Sequence, residues 1–130
     1  MKEIEKFIDH LKHSDFLDNE DIEILLQKFP QARFDGIGYR IIRGKERDIS
    51  QDKSFSKSKE GVRYFIRTKE VKEICVYEAT ISGLDVQALC IILRKQGIKF
   101  PEYVNQEQEI ICLDSPKNVA VIFKGQASDF

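Results

Sequence analysis

No apolar run in the chain approaches the length of a membrane span, and Met1 leads into a charged amphipathic segment without a secretory leader pattern. These two absences predict a cytoplasmic protein, or one delivered into a host cell without a cleaved signal peptide. Nor is there an excess of positive charge: 21 Lys and Arg stand against 22 Asp and Glu, for a net charge of −1. Phosphate affinity through a basic surface needs such an excess, so general nucleic-acid binding is not expected. Cysteine is scarce, with Cys75, Cys90 and Cys112 spaced by 15 and 22 residues. That spacing matches no metal motif, and an odd count closes no disulfide framework. The expectation is three buried free thiols and no metal site. Two histidines, His10 and His13, lie in the first helical segment without a Cys or Ser partner pattern and read as surface residues. No internal repeat, linker or second domain is visible in 130 residues, a length that suits one domain with a real core.

What is present is ordinary for a globular protein: 42% apolar and 33% charged residues. Ile4, Phe7, Ile8 and Leu11 recur at helical spacing and predict an amphipathic helix over about residues 2–13. Ile22, Leu25, Leu26 and Phe29 predict a second over 18–29, capped by Asp18 or Asn19 and stopped by Pro30. The first 29 residues hold 8 acidic and 4 basic side chains, so the outer face of this pair is solvated. The pair reads as a lid or support without chemistry of its own.

From Phe34 the pattern changes to two early glycines and a β-rich run, which predicts a strand over about 37–43. Lys45 to Lys57 is polar and contains the triplet Ser54-Phe55-Ser56. A short helix begins near Ser58, with Val62, Phe65 and Ile66 inward, although Gly61 in its first turn is a poor helix former. Residues 43–72 carry 10 Lys or Arg against 5 Asp or Glu. Such a bias suits a solvated face and also a diphosphate partner. Ile74 to Ile81 reads as a mostly buried strand. Asp85 then caps a helix that Gly97 ends. Ile98 to Gln106 reads as a loop carrying Phe100 and Tyr103. A strand follows the glutamates, the last strand covers about 119–123, and Gly125 to Phe130 reads as a frayed tail. Two helices followed by strands interrupted by short helices give an α+β class.

The most informative stretch is Glu107-Gln108-Glu109-Ile110-Ile111-Cys112. On a strand, residues two apart share a face, which puts the two carboxylates roughly 7 Å apart. Like charges so placed raise one pKa. A solvated strand end also carries acids of this kind.

Three features occur in order: Gly36-Ile37-Gly38-Tyr39-Arg40 on an early strand, Ser54-Phe55-Ser56 before a helix, and Glu107-Gln108-Glu109 opening a late strand. Residues 34–123 thereby resemble the ADP-ribosyltransferase superfamily of the arginine–serine–glutamate type, which includes small bacterial toxins and phage enzymes. The resemblance implies a single ADP-ribosyltransferase-like domain over residues 1–130. Its parts would be a helical segment, 1–30, and a β-rich NAD-binding core, 34–123, with a mixed, mainly antiparallel split sheet.

It also implies roles. Glu109 would stabilise the oxocarbenium-like charge that develops at the ribose when the nicotinamide bond of NAD breaks, much as a glycosidase carboxylate does. Ser54 would fix the rotamer of Glu109, and Arg40 would bind the phosphate or ribose side of NAD. Glu107 would orient and deprotonate the acceptor, with arginine as the target. Tyr39, Phe55 and Ser56 would complete the cofactor surface. Phe65 or Tyr64 would cover the nicotinamide, although core packing is the more usual job for a residue placed like Phe65. Phe100 and Tyr103 would meet an acceptor protein or simply anchor their loop. Arg40 is followed by Ile41 where the family often has glycine, so Arg43-Gly44 is a competing alignment. Phe55 stands where threonine is frequent. The implied activity is mono-ADP-ribosyl transfer from NAD to a protein arginine. NAD hydrolysis on the same scaffold, or an inactive binding member, are the alternatives.

Overall fold

The stripe at Ile4, Phe7, Ile8 and Leu11 winds Lys2–His13 into helix α1, and Phe7 and Leu11 are buried. Helix α2, Asn19–Lys28, starts where the Asp18 carboxylate accepts a hydrogen bond from the Asp21 amide at 2.9 Å. Such a cap contributes about 1 kcal/mol. A 3-10 turn at Pro30–Ala32 leads into strand β1, Arg33–Arg43. Strand β2, Ser54–Ser56, precedes helix α3, Lys59–Thr68, which Ser58 caps. Strand β3 spans Glu73–Asp85, and Asp85 accepts from the Ala88 amide to cap helix α4, Val86–Arg94. Strands β4, Glu109–Cys112, and β5, Lys117–Gln126, complete the order. This computed structural model describes residues 1–13, 15–100 and 106–130.

The fold is α+β, as the sequence implies, with four α-helices and one five-stranded sheet among the described residues. Of the expected mixed, mainly antiparallel split sheet, the antiparallel character holds and the mixed, split part is corrected: every pairing among the described residues is antiparallel and joins one sheet. Strand β3 is its spine. One edge of β3 pairs with β1 from Ile74 to Leu84. The other edge is shared, with β5 along the first part and β4 at Gly83–Asp85. Because β2 bridges β1 and β4, the strands β1, β2, β4 and β3 close a ring.

Further elements differ from expectation. β1 begins at Arg33 rather than near residue 37, since pairing with β3 carries Asp35, Gly36 and Gly38 along despite their poor β preference. Ser54-Phe55-Ser56 is a strand and not part of a polar loop, because it has a partner on each side. β5 runs on to Gln126, and the C-terminus is docked instead of frayed. Phe130 packs edge-to-face on Phe123 at 5.2 Å, with the Arg63 guanidinium 5.3 Å from its ring.

Three clusters of buried residues result among the described residues. One joins α1, α2 and α4 through Phe7, Ile22, Leu25, Leu89 and Leu93. A second fills the sheet interior around Phe55, Tyr77, Ala79, Ile81 and Ile110. The third lies under α3, around Val62, Ile74 and Val76. Cys75, Cys90 and Cys112 are free and buried, as expected. Burial pushes the thiols of Cys90 and Cys112 up to about 12, which keeps both in the unreactive protonated form.

Candidate active site

The centre of the site is the first residue of β4. Strand pairing sets Ser56 opposite Glu109 and Ser54 opposite Ile111, so Ser54 and Glu109 are diagonal neighbours. The Ser54 hydroxyl donates to Glu109 Oε2 at 2.6 Å. On the other side, His10 Nε2 lies 3.3 Å from Glu109 Oε1. Burial by itself would raise the pKa of Glu109. The hydrogen bond and charge of His10, the Ser54 hydroxyl and the Arg40 charge outweigh that, and the carboxyl titrates below its ordinary range.

Arg40 reaches the same place from β1. Its Nη1 donates to the Ser54 carbonyl at 3.1 Å, and its Nε to Asp52 Oδ2 at 2.9 Å. Asp52 also takes a two-pronged bond from Arg47, with both contacts at 2.9 Å. Burial works to raise Asp52, but the Arg47 bonds and the Arg40 charge win and hold it below the usual carboxylate range. A continuous polar path therefore runs from Arg47 through Asp52, Arg40 and Ser54 to Glu109 and His10.

Of these residues Arg47, Arg40, Ser54, Glu109 and His10 line a cavity of about 1000 Å³, with Asp52 behind them. Tyr39, Arg40, Ser54, Phe55, Ser56, Phe65, Glu107 and Glu109 all line it, so the described residues expected for cofactor and chemistry come together. Phe55 does so from within the sheet interior, where it is buried. Tyr64 and Phe65 of α3 form part of the wall, and Phe65 lies under the Arg43 guanidinium at 5.5 Å. Arg43 lines the cavity as well, so alternation along β1 does not exclude it from the site. Lys12, Arg47 and Lys69 add positive charge to the lining.

Glu107 departs from its expected setting. Gln106 and Glu107 have helical backbone, Gln108 has φ +52°, and the strand begins only at Glu109. The two glutamates are therefore not successive members of one strand face, although both line the cavity. Burial, and then the charge of Glu109, push the Glu107 carboxyl above its ordinary value against the opposing charges of Lys69 and His10. Its position is set from below: the Ser56 hydroxyl donates to the Glu107 carbonyl at 2.7 Å. Phe100 is half-buried and packs edge-to-face on Phe7 of α1 at 6.2 Å. Tyr103 lies outside the described residues.

Sequence reasoning missed His10, Asp52 and Arg47. His10 is half-buried in contact with Glu109 and is not a free surface residue, which also makes α1 a contributor to the site. Its one sequence signal is its place three residues after Phe7, on the flank of the apolar stripe. Asp52 and Arg47 carry no signal beyond the alternation of charge in a polar stretch. Among the described residues no cluster of three or more His, Cys, Asp or Glu is arranged for a metal ion. No protein-family model, curated protein or solved structure matches the chain.

Proposed function

We propose that the protein is an NAD-dependent mono-ADP-ribosyltransferase with an ADP-ribosyltransferase-like fold, acting on an arginine of a protein target. The single observation that carries this reading is the Arg40–Ser54–Glu109 chain. Residues 14 and 55 positions apart in sequence are joined by hydrogen bonds at the wall of one large cavity. Its volume of about 1000 Å³ lies at the upper end of small-molecule sites, roughly 300–1,000 Å³. The residue types suit the substrate. Guanidinium groups at Arg40 and Arg43 match a diphosphate, and a fixed, ionised Glu109 matches a ribose becoming positive.

The reaction follows from charge. As the bond from the ribose anomeric carbon to the nicotinamide nitrogen breaks, its electron pair leaves with neutral nicotinamide. Positive charge builds on the sugar, where Glu109 stabilises it while accepting a hydrogen bond from a ribose hydroxyl. An acceptor nitrogen then bonds to the anomeric carbon and gives its proton to Glu107. The upward shift of Glu107 fits a base that works near neutral pH.

Water as acceptor is the second reading, and a specific observation favours it. Lys12, Arg43, Arg47 and Lys69 line the cavity and repel an incoming guanidinium but not water. The test is incubation of purified protein with adenylate-labelled NAD and a cell lysate. Free nicotinamide and label on protein are both measured, with Glu109→Gln as the control. Transfer predicts both products. Hydrolysis predicts nicotinamide without labelled protein. Loss of an electrostatic stabiliser at Glu109 lowers either rate by about 10²–10³. A wild type that binds no NAD and releases no nicotinamide overturns both readings.

A further inference from the structure

We infer that His10 is a positioning residue for the reacting carboxylate: presented by α1 as an imidazolium, it is clamped between the Asp15 carbonyl and Glu109. It thereby fixes the Oε1 side of Glu109 as Ser54 fixes the Oε2 side. This inference rests on the ADP-ribosyl reading of the site.

The geometry sets the protonation state. His10 Nδ1 lies 2.9 Å from the Asp15 carbonyl oxygen, which can only accept, so Nδ1 carries a proton. Nε2 lies 3.3 Å from Glu109 Oε1, and an ionised carboxylate also only accepts. A neutral imidazole has one N–H and satisfies one of these two acceptors; both are satisfied only when the ring carries two protons. The charges around it agree. Glu109 at the head of β4 and Glu107 just before it attract the proton, whereas Arg40 beyond Glu109 and Lys12 on the same helix oppose it. The hydrogen bond to Glu109 is the largest influence and raises the titration of His10 above 6.5 despite burial.

The clamp has a firm base. Phe7, one turn earlier, and the adjacent Leu11 are buried in the helical core. Lys6 ties α1 to α2 through Asp21 at 3.0 Å. His10 is thus delivered by the scaffold and not by a loose surface chain. An ionised carboxylate has about four lone-pair sites, so with Ser54 and His10 taking one each, Glu109 still has room for a ribose hydroxyl in a fixed direction. Once His10 gives up its second proton, one of its two hydrogen bonds is lost and Glu109 is no longer held on both sides.

The test measures kcat and KM for nicotinamide release from NAD, from about pH 5 to well above 8. Wild type, His10→Ala and His10→Gln are compared. Wild-type kcat is expected to fall through a limb above pH 6.5, which neither variant shows. At the low-pH plateau His10→Ala loses about tenfold in kcat with little change in KM, the scale of a misoriented catalytic group. His10→Gln keeps a neutral donor toward Glu109 and recovers part of that loss. Superimposable profiles for wild type and His10→Ala overturn the inference, since a purely structural tie would leave the pH limb in place. If wild type releases no nicotinamide, the ADP-ribosyl reading fails, and an NMR titration of the His10 ring isolates the clamp from it. A midpoint above 6.5 that drops in Glu109→Gln supports the clamp, and an ordinary midpoint indifferent to that change overturns it.

Discussion

Gly61 and Ser56 meet where the first turn of α3 crosses the approach to β4. A side chain on Gly61 would run into both the Ser56 hydroxyl and the Glu107 carbonyl oxygen. The same junction is stitched by three hydrogen bonds. Ser56 Oγ donates to the Glu107 carbonyl at 2.7 Å, the Lys57 amide to the Gln108 carbonyl at 2.9 Å, and Ser58 Oγ to Gln108 Oε1 at 2.5 Å. Together they hold Gln108 in a left-handed conformation that costs a non-glycine residue about 1–2 kcal/mol. A residue that is a poor helix former by propensity is therefore required by the turn that carries Glu107.

Gly61→Ala tests that requirement. Alanine is the better helix former by about 1 kcal/mol and would stabilise an unconstrained helix. Overpacking at a tight junction costs about 1–3 kcal/mol, and here backbone is among the obstructing atoms. The expected outcome is a lower denaturant midpoint together with slower NAD turnover, because Ser56 and Glu107 shift. A midpoint equal to or above that of wild type would show that the junction has room.

Helices α1 to α4 were legible in the sequence because their signals are local. Apolar residues at Ile4, Phe7, Ile8 and Leu11, and caps at Asp18, Ser58 and Asp85, act within a turn or two. Strand β2 was not legible as a strand: Ser54-Phe55-Ser56 lacks a β-branched run, and its conformation comes from β1 and β4 on either side. The approach of Ser54 to Glu109 followed only from a resemblance, since local pattern says nothing of residues 55 apart. The setting of His10 was illegible for the same reason. Helical periodicity sets it beside the core face, but what it meets there comes from β4, 99 residues away. Glu107 leaves the strand face of Glu109 for a different reason: the positive φ of Gln108 breaks the strict alternation that a strand pattern assumes.

The His10–Glu109 pair should shape the dependence of stability on pH. His10 has a folded titration point raised above 6.5, so its contribution is complete below 6.5 and is lost as pH rises through that folded value. Glu109 has a folded value depressed below 4.5, so its contribution is present above 4.5 and is lost as pH falls through the folded value. Both are in force between 4.5 and 6.5. In urea titrations the stability lost in Glu109→Gln is therefore expected to be largest in that window and to shrink on the alkaline side. A difference independent of pH across both limits would rule out a charged pair.

Arg40 and Arg43 both line the cavity, yet they are held differently. Arg40 is fixed by Asp52 and the Ser54 carbonyl, whereas Arg43 is exposed and rests on Phe65. A preorganised guanidinium gives up little freedom when it meets phosphate, and a charge-assisted hydrogen bond contributes about 1.5–3 kcal/mol. Arg40→Ala is accordingly expected to weaken NAD binding by at least about tenfold, and Arg43→Ala by much less. Asp52 keeps its two-pronged bond to Arg47 in the first variant, so the polar stretch stays neutralised. Calorimetric titrations of both variants decide the matter, and the reverse ranking would make Arg43 the cofactor arginine.

The separate task proposed for Glu107 supplies the sharpest test of the acceptor. Cleavage of the nicotinamide bond needs charge stabilisation at the ribose, which Glu109 can provide alone. Transfer to arginine also needs a guanidinium held nearby and relieved of a proton, because the cation is a poor nucleophile. Burial and the charge of Glu109 raise the Glu107 carboxyl above its ordinary 4.5, which makes its ionised form a stronger base. Glu107→Gln keeps size and hydrogen bonding but removes both charge and basicity, while the Ser56 bond to the main-chain carbonyl is untouched. The variant is expected to keep measurable nicotinamide release and to lose arginine labelling by about 10²–10⁴, the range of general base catalysis. In wild type, labelling should rise with pH through the raised Glu107 value, a rise absent from Glu107→Gln. Both products are followed in the same reaction, free nicotinamide beside label incorporated into protein. Arginine labelling at the wild-type rate in Glu107→Gln would make Glu107 a bystander and take the arginine-specific reading with it.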